Sequence, residues 1–384
     1  MTLVETLLSP LRPPIATLLA PSSICSIYSL GFAIFIAFAW LAWRRRRRGR
    51  PVALRMLARA VFSRRVLMHR STFADLAYCI IGLATLGGII GWAVVSTSWI
   101  SDGVAALLTS LLGPPRQPRA PDFALNAART LLLFLAYELG FFIDHTLKHR
   151  VPALWELHKA HHSAEVLTPL VNFRVHPLDS LILANNLALI IGLGGGAAQY
   201  ALGRKAVSFT LFDQNVLMLL YIYLTAQLQH SEIWIPFTGV WGRVFMSPAH
   251  HQLHHFADPA HFNCNMGASL AIWDWLMGSL RMPSLEPPRL SFGVTGHRRD
   301  PHGLMGLVVD PAVGAVATLY RQLSAKRSET PRASAGLGPE ATTARPTGRP
   351  WGAAARVDDR VREVDPTELQ SGPARAAVPL AEAG

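Results

Sequence analysis

Residues 141–162 read FFIDHTLKHRVPALWELHKAHH, so an apolar run passes directly into two clusters of histidine. Imidazole is a common protein ligand for iron, zinc, copper and nickel, and it binds as the neutral ring. On a helix, residues three and four apart share a face, so each cluster could direct two or three ring nitrogens at one point. The two clusters consist of His145 and His149, followed by His158, His161 and His162.

A third cluster follows in SPAHHQLHH, residues 247–255. Its H-x-x-H-H spacing, in His251, His254 and His255, repeats the spacing of the second cluster. Three imidazoles on one face repel one another when they are protonated, unless a metal ion holds them neutral. Two copies of such a triplet predict a site for two metal ions.

Single histidines extend the candidate ligand set. His230 is predicted as a ligand because it follows an apolar run at the same membrane depth as His145. His176 and His261 are further candidate ligands, with hydrogen bonding to a ligand or a carboxylate as the alternative. His250 is expected to point away from its ligating neighbour. The acidic residues that could orient the imidazoles are Asp144, Glu156, Glu165, Asp179 and Asp258.

The composition predicts a membrane protein. Hydrophobic residues make up 51% of the 384 residues and charged residues only 16%. The apolar residues are concentrated in runs near the roughly 20 residues that span a bilayer. We therefore predict an all-α fold, an integral membrane helical bundle with a cytoplasmic histidine-rich cap. The runs are Ile24–Trp43, Leu76–Val95, Leu125–Ile143, Leu181–Ala198 and Val207–Leu228.

Charge indicates the orientation of the chain. Arg44–Arg48 directly follow the first run, and basic loops remain in the cytoplasm. Crossing the membrane once at each run then brings all three histidine clusters to the cytoplasmic side, in the cell (inner) membrane. The net charge of +12 does not predict nucleic-acid binding, because the basic residues lie mainly in this loop and in the C-terminal tail.

Four regions are predicted along the chain. Residues 1–124 form an N-terminal membrane region with two spans and the arginine-rich loop, and residues 125–285 form the catalytic domain. Residues 286–322 are a C-terminal extension. Residues 323–384 are rich in Ala, Pro, Arg, Ser and Thr, a composition that buries little apolar surface and predicts a disordered tail.

The order of these motifs resembles the fatty acid hydroxylase/sterol desaturase superfamily, over about residues 131–280. FRVHPLD at residues 173–179 and NMG followed by WDWLMGS at residues 265–279 extend the likeness. Two positions depart from it. Met266 stands where members often have an aromatic residue. Trp234 stands where some members have a second histidine, which leaves one ligand set short unless His176 or His261 completes it.

The resemblance implies a histidine-rich centre of two iron ions that uses O2 as co-substrate. Electrons would come from a separate ferredoxin, cytochrome or reductase type of partner. The substrate would be a fatty acyl or sterol-like lipid, and the product an alcohol or an alkene. Imidazole suits zinc as well as iron, so the ligand type leaves the metal open.

Two other functions remain as alternatives. A membrane zinc-dependent hydrolase would use three protein ligands and a general base, often as H-E-x-x-H, and that motif does not occur here. A metal-binding or transport protein would hold its ligands near the middle of the bilayer. The clusters here lie instead at the ends of the apolar runs.

Overall fold

The computed structural model describes residues 12–115, 118–203 and 205–329 of the chain. These residues are mostly helical, and the one sheet among them has two strands of two residues each. The predicted all-α fold class is confirmed. The N-terminal region forms helices α1 (Arg12–Leu19), α2 (Ile27–Arg47), α3 (Leu54–Val61), α4 (Arg64–Leu67), α5 (Arg70–Ala93) and α6 (Thr97–Leu112).

Three of the described helices are long and apolar enough to cross a membrane. They are α2, which contains the first predicted run from Ile27 onward, α7 (Asp122–Arg150), which contains the third, and α9 (Pro177–Leu202), which contains the fourth. The second predicted run lies largely within α5, a helix of 24 residues. The predicted domain boundary at residues 124/125 falls in the first turn of α7.

The fifth predicted run is not one long helix. Its first residues form a hairpin of β1 (Thr210–Leu211) and β2 (Gln214–Asn215), whose turn places Phe212 and Asp213 at positive φ. The helical part covers only Val216–Gln229. It is divided into α10 (Val216–Tyr221), a π-helical turn (Ile222–Ala226) and α11 (Gln227–Gln229).

The cap is built from short elements that follow the long helices. Proline at the first helical position starts both α8 and α13, where the missing N–H costs no hydrogen bond. The elements are α8 (Pro152–His162), a 3-10 turn (Pro169–Phe173), α12 (Gly239–Val244), α13 (Pro248–His254), a 3-10 turn (Pro259–His261), α14 (Ile272–Met277), a π turn (Met305–Val309) and α15 (Asp310–Glu329).

Close helix packing joins α9 to the N-terminal region. A Cβ atom at Gly196 would lie 2.5 Å from the Ser101 carbonyl oxygen, and one at Gly195 would lie 2.5 Å from the Ser101 hydroxyl. Glycine is therefore required where α9 passes α6. At its other end, α9 places Asp179 in contact with His158 of α8.

A buried ion pair attaches the cap to α5. Arg174, fully buried, donates to the Asp75 carboxylate at 2.8 Å and to the Ala160 carbonyl at the end of α8 at 2.9 Å. It also donates to the Pro301 carbonyl at 2.8 Å. One side chain thus joins α5, α8 and the C-terminal extension.

The C-terminal region differs from its predicted boundary. Helix α15 continues to Glu329, so it includes residues 323–329, the first part of the predicted tail. The remainder of the predicted tail, residues 330–384, lies outside the described residues.

Candidate metal centre

The structure brings nine candidate histidines together, namely the eight of the three clusters and His230. They divide into two sets whose potential ligand atoms all lie within 4.8 Å of one another. Eight of the nine are buried, and His149 is half-buried. The five-histidine group consists of His145, His149, His158, His162 and His254, and the four-histidine group of His161, His230, His251 and His255.

The grouping corrects one expectation from the sequence, because neither triplet points at a single site. Residues four apart, such as His158 and His162, stay in the same group. The histidine between them, His161, belongs to the other group. Successive residues of a helix point about 100° apart, so adjacent histidines face different centres. The third cluster divides in the same way, with His254 separated from the other two.

The four-histidine group has the spacing of ligands around one ion. Nε2 of His230 lies 2.9 Å from Nε2 of His251 and 3.1 Å from Nε2 of His255. The last two nitrogens are 3.2 Å apart. Two ligands at right angles, each about 2.1 Å from an ion, would be about 3.0 Å apart. Three ring nitrogens facing a common point cannot all satisfy one another by hydrogen bonding, and an ion there would satisfy all three.

In the five-histidine group, hydrogen bonds fix the direction of the rings. Nδ1 of His145 donates to the Met266 carbonyl at 2.8 Å, and Nδ1 of His254 donates to the Cys264 carbonyl at 2.8 Å. A carbonyl oxygen only accepts, so each Nδ1 carries the proton and Nε2 keeps its lone pair. Nε2 of His254 is buried and has no hydrogen-bond partner among the described residues. This state is the one a metal ion requires.

A carboxylate supports a third member of this group. Nδ1 of His158 lies 3.0 Å from Oδ2 of Asp179, and Nε2 of His158 is buried with no hydrogen-bond partner in the part of the chain that the structure describes. Lys148 forms ion pairs with Asp179 and, at 2.6 Å, with Asp144, and all three charged side chains are buried. Lys148 therefore holds Asp179 in place between two helices, α7 and α9. The sequence does not indicate this role of Lys148, since Asp179 is 31 residues away along the chain.

Burial keeps the cap imidazoles neutral. Desolvation, together with the charge of a neighbouring imidazole, lowers the pKa of His230 and of His254 to about 3. The neutral ring is the form that binds metal ions. The same causes lower the pKa of His161, His162, His251 and His255 well below the usual value.

Of the five acidic residues predicted as candidates to orient imidazoles, only Asp179 contacts a histidine of either group. The others have partners outside both groups. Asp144 pairs with Lys148, Glu156 with Lys159, Glu165 with Arg70, and Asp258 accepts from the backbone N–H of Ala260.

His176 and His261 belong to neither group. Nδ1 of His176 accepts from the Leu178 N–H at 3.2 Å, and its Nε2 donates to the Val308 carbonyl at 2.8 Å, so His176 caps α9 with both nitrogens engaged. His261 is half-buried and packs against Phe256. Neither residue completes the smaller ligand set, which keeps four histidines.

Two nearby residues have structural roles. His250 forms a capping box with Ser247 at the start of α13 and points away from both groups, as expected. Trp234, one of the two positions that depart from the resemblance, is buried and donates from Nε1 to the Ser284 carbonyl at 3.0 Å.

Two cavities adjoin the histidines, and each is lined by different members of the nine. The span-side cavity, about 230 Å³, is lined by five of the histidines together with Tyr137 and Phe141 of α7, Leu183 of α9 and Tyr221 of α10. The outer cavity, about 240 Å³, is lined by the other four histidines together with cap residues. The histidines of the outer cavity are His149, His162, His254 and His255.

Fold and site define a helical membrane protein whose buried histidines could hold two metal ions. Residues 130–279 match the family model for fatty acid hydroxylase. This segment of the chain is therefore similar to the fatty acid hydroxylase/sterol desaturase superfamily. The match contains all nine grouped histidines.

Several curated proteins are similar to the chain. It is 29% identical over 225 residues to ornithine lipid hydroxylase from Rhizobium tropici, covering 59% of this chain and 62% of the relative. It is 28% identical to human cholesterol 25-hydroxylase, covering 43% and 56%. It is 30% identical to a delta(7)-sterol 5(6)-desaturase from Gibberella zeae, covering 42% and 45%. The chain thus spans less than two thirds of each of these relatives. No solved structure gives a significant match.

Proposed function

We propose that the protein is a membrane-bound, O2-dependent di-iron oxidoreductase that hydroxylates or desaturates a C–H bond of a lipid. The observation that carries this proposal is the pair of buried histidine groups beside a cavity lined by membrane-helix residues. The names of the relatives support the lipid substrate, since they act on ornithine lipid, cholesterol and a sterol.

The nine grouped histidines would hold the two ions, with five and four ligands. The arrangement fits, because unpartnered buried nitrogens and Nε2 separations of about 3 Å suit coordination. A pair of iron ions bound there would supply the reduction of O2 that oxidation of an unactivated C–H bond requires.

The overall reaction balances with one external reductant. Hydroxylation consumes one O2, two electrons and two protons, and releases an alcohol and one water. Desaturation consumes the same reactants and releases an alkene and two waters. The two electrons come from a separate ferredoxin, cytochrome or reductase type of donor.

Residues of α7 would align the lipid. Tyr137, Phe141 and His145 are spaced four residues apart, so they form one stripe on the helix, and all three line the span-side cavity. The stripe extends about 12 Å along the helix from the histidine cluster. A lipid chain lying on it would reach the cluster from the bilayer, with the aromatic rings excluding water.

We further propose that the centre faces the cytoplasm, where the arginine-rich segment after α2 would remain. The outer cavity would then be the side from which the electron donor approaches, since His149 is the most exposed of the nine histidines and lines it.

The test combines metal analysis with lipid analysis. Protein purified without oxygen should contain close to two iron ions per chain, and cells that produce it should contain a hydroxylated or newly unsaturated lipid. His254→Ala should abolish the product while the protein still enters the membrane. His297→Ala, outside both groups, is the matched control and should leave the product unchanged. Tightly bound zinc with an unchanged lipid profile would reject the proposal in favour of a zinc enzyme.

A further inference from the structure

Two short helices that supply none of the grouped histidines expose large apolar side chains. On α12, Val240 and Trp241 are 64% and 67% exposed, and on α14, Leu276 and Met277 are 63% and 67% exposed. The two helices contact each other, so these exposed apolar side chains lie on neighbouring segments. We call residues 239–246 and 269–277 the α12/α14 unit. Contiguous exposed apolar surface marks a site of interaction with a protein or a membrane.

The base of this unit is attached to the membrane-spanning helix α7. The buried carboxylate of Glu138 accepts from the backbone N–H groups of Ser269 at 3.1 Å and Leu270 at 2.9 Å, and from the Ser269 hydroxyl. Glu138 precedes His145 by seven residues, which is about 10 Å along the helix toward its middle. The attachment therefore lies within the span, deeper than the histidine cluster.

The non-helical backbone of the unit has its donors satisfied internally. The Met246 N–H donates to the Ser269 carbonyl at 2.8 Å, and the Ala271 N–H donates to the Val244 carbonyl at 2.9 Å. The two remaining donors of this turn are those bound by the carboxylate on α7. Irregular backbone is tolerated at membrane depth only when its polar groups are paired within the protein. The turn meets this requirement, because its backbone N–H groups are paired either within the unit or with Glu138 of α7.

The charges of the unit also suit a lipid environment. Its two charged residues are Asp274 and Arg243. Asp274 is buried and accepts from the N–H groups of Met266 and Gly267, each at 2.8 Å, so it does not face outward. Arg243 is exposed in the last turn of α12, and a long arginine side chain can reach the headgroup region while its stem lies in apolar surroundings.

We propose that the α12/α14 unit inserts into the acyl-chain region of the lipid leaflet beside the histidine cluster, so the partner of this surface is the bilayer itself. Interfacial helices bury an apolar face by about 5–10 Å, which agrees with attachment at Glu138. The insertion also explains an apolar groove of about 590 Å³ lined by Phe245 and Leu270 of the unit and Phe134 of α7. An acyl chain would fill that groove from the same leaflet.

Spin labelling tests this placement in the full-length protein. Val240→Cys and Leu276→Cys would be labelled with a nitroxide in vesicles of phosphatidylcholine and phosphatidylglycerol. Leu193→Cys, exposed on the span α9, is the membrane control, and Thr295→Cys, exposed in the extension, is the aqueous control. Cys25, which is only half-buried, is replaced by Ser in every variant.

The proposal predicts that labels at Val240 and Leu276 respond as the label at Leu193 does. Molecular oxygen should relax them strongly, and a water-soluble nickel complex weakly. A response matching that of Thr295 would overturn the proposal. Protection from both reagents would also overturn it, because the surface would then be covered by protein such as a second copy. Neither result depends on bound metal or on turnover, so this test and that of the proposed oxidation fail separately.

Discussion

The five-histidine and four-histidine groups share two helices but differ in their support. Three imidazoles of the larger group have a hydrogen-bonded Nδ1, with two carbonyls and a carboxylate as partners. In the smaller group, Nδ1 of His161, His230 and His251 are buried without a hydrogen-bond partner among the described residues. The larger group is therefore oriented from outside, whereas the rings of the smaller group are held mainly by packing.

This difference has a chemical consequence. Hydrogen bonds to ligating imidazoles fix ring orientation and raise metal affinity. A site with fewer ligands keeps a coordination position for another molecule. We therefore expect the five-histidine group to bind its ion more tightly, and the four-histidine group to be the more exchangeable one.

The largest expected difference between the two groups is in the effect of removing one ligand from each. His251→Ala leaves three histidines in the smaller group, so we expect loss of one of two ions and of all turnover. His149→Ala leaves four in the larger group and removes its most exposed member, so both ions and part of the turnover should remain. Metal content and turnover measured on both variants would decide. Equal losses would show that the two groups depend equally on each ligand.

Lys148→Met should destabilise the support of the larger group alone. It leaves the carboxylates of Asp144 and Asp179 buried without their ammonium partner, a change that costs about 3–5 kcal/mol. Lys159→Met is the control, because its pair with Glu156 is partly exposed and is worth less than about 1 kcal/mol. Denaturant unfolding in detergent measures both. A similar small change in the two variants would mean that the buried pair is not required for stability.

Asp179→Asn should lower the metal affinity of the five-histidine group and leave that of the four-histidine group unchanged. It replaces the carboxylate that contacts Nδ1 of His158, and loss of such support reduces metal affinity about 10–100-fold. The effect should be confined to one of two ions, which competition with a chelator would show as a change in only one phase of release. A change in both phases would indicate that the groups are coupled through the cap.

The smallest effect is expected at the surface of the cap. Arg70 and His302 lower the pKa of Glu165 from 4.5 to about 2. A lowered folded-state pKa contributes stability above pH 4.5 that is lost as the pH falls toward 2. Because Glu165 is one third exposed, Glu165→Gln should cost less than about 1 kcal/mol at pH 7. Thermal unfolding at pH 7 and pH 3 should show this difference shrinking, and a constant difference would contradict the assigned cause.

Much of the fold and the site could be predicted from the sequence, because local patterns carry them. Apolar runs indicated the three helices that are long enough to cross a membrane, and the spacing of histidines indicated the nine that converge. The division of each triplet was not predicted, although it follows from helix geometry. Residues three and four apart share a face only approximately, and the side chains of His161 and His162 point about 100° apart around the helix axis.

Contacts between distant residues could not be predicted from the sequence. Glu138 interrupts an apolar run, but its partners Ser269 and Leu270 are more than a hundred residues away. Arg174 of the FRVHPLD motif similarly pairs with Asp75, which lies outside the family match. Such pairs require the tertiary fold, since single residues in an apolar run carry no signal of their partner.

The adjacent histidines of α8 and α13 have one mechanical consequence. Each of these short helices contributes ligands to both groups through neighbouring residues, such as His254 and His255. A shift or tilt of either helix would displace nitrogens on both sides at once, so neither half can be adjusted alone. The separation between the two centres is therefore set by the rise and rotation per residue of these helices and not by the length of a loop. An inserted residue would be tolerated only outside these two helices.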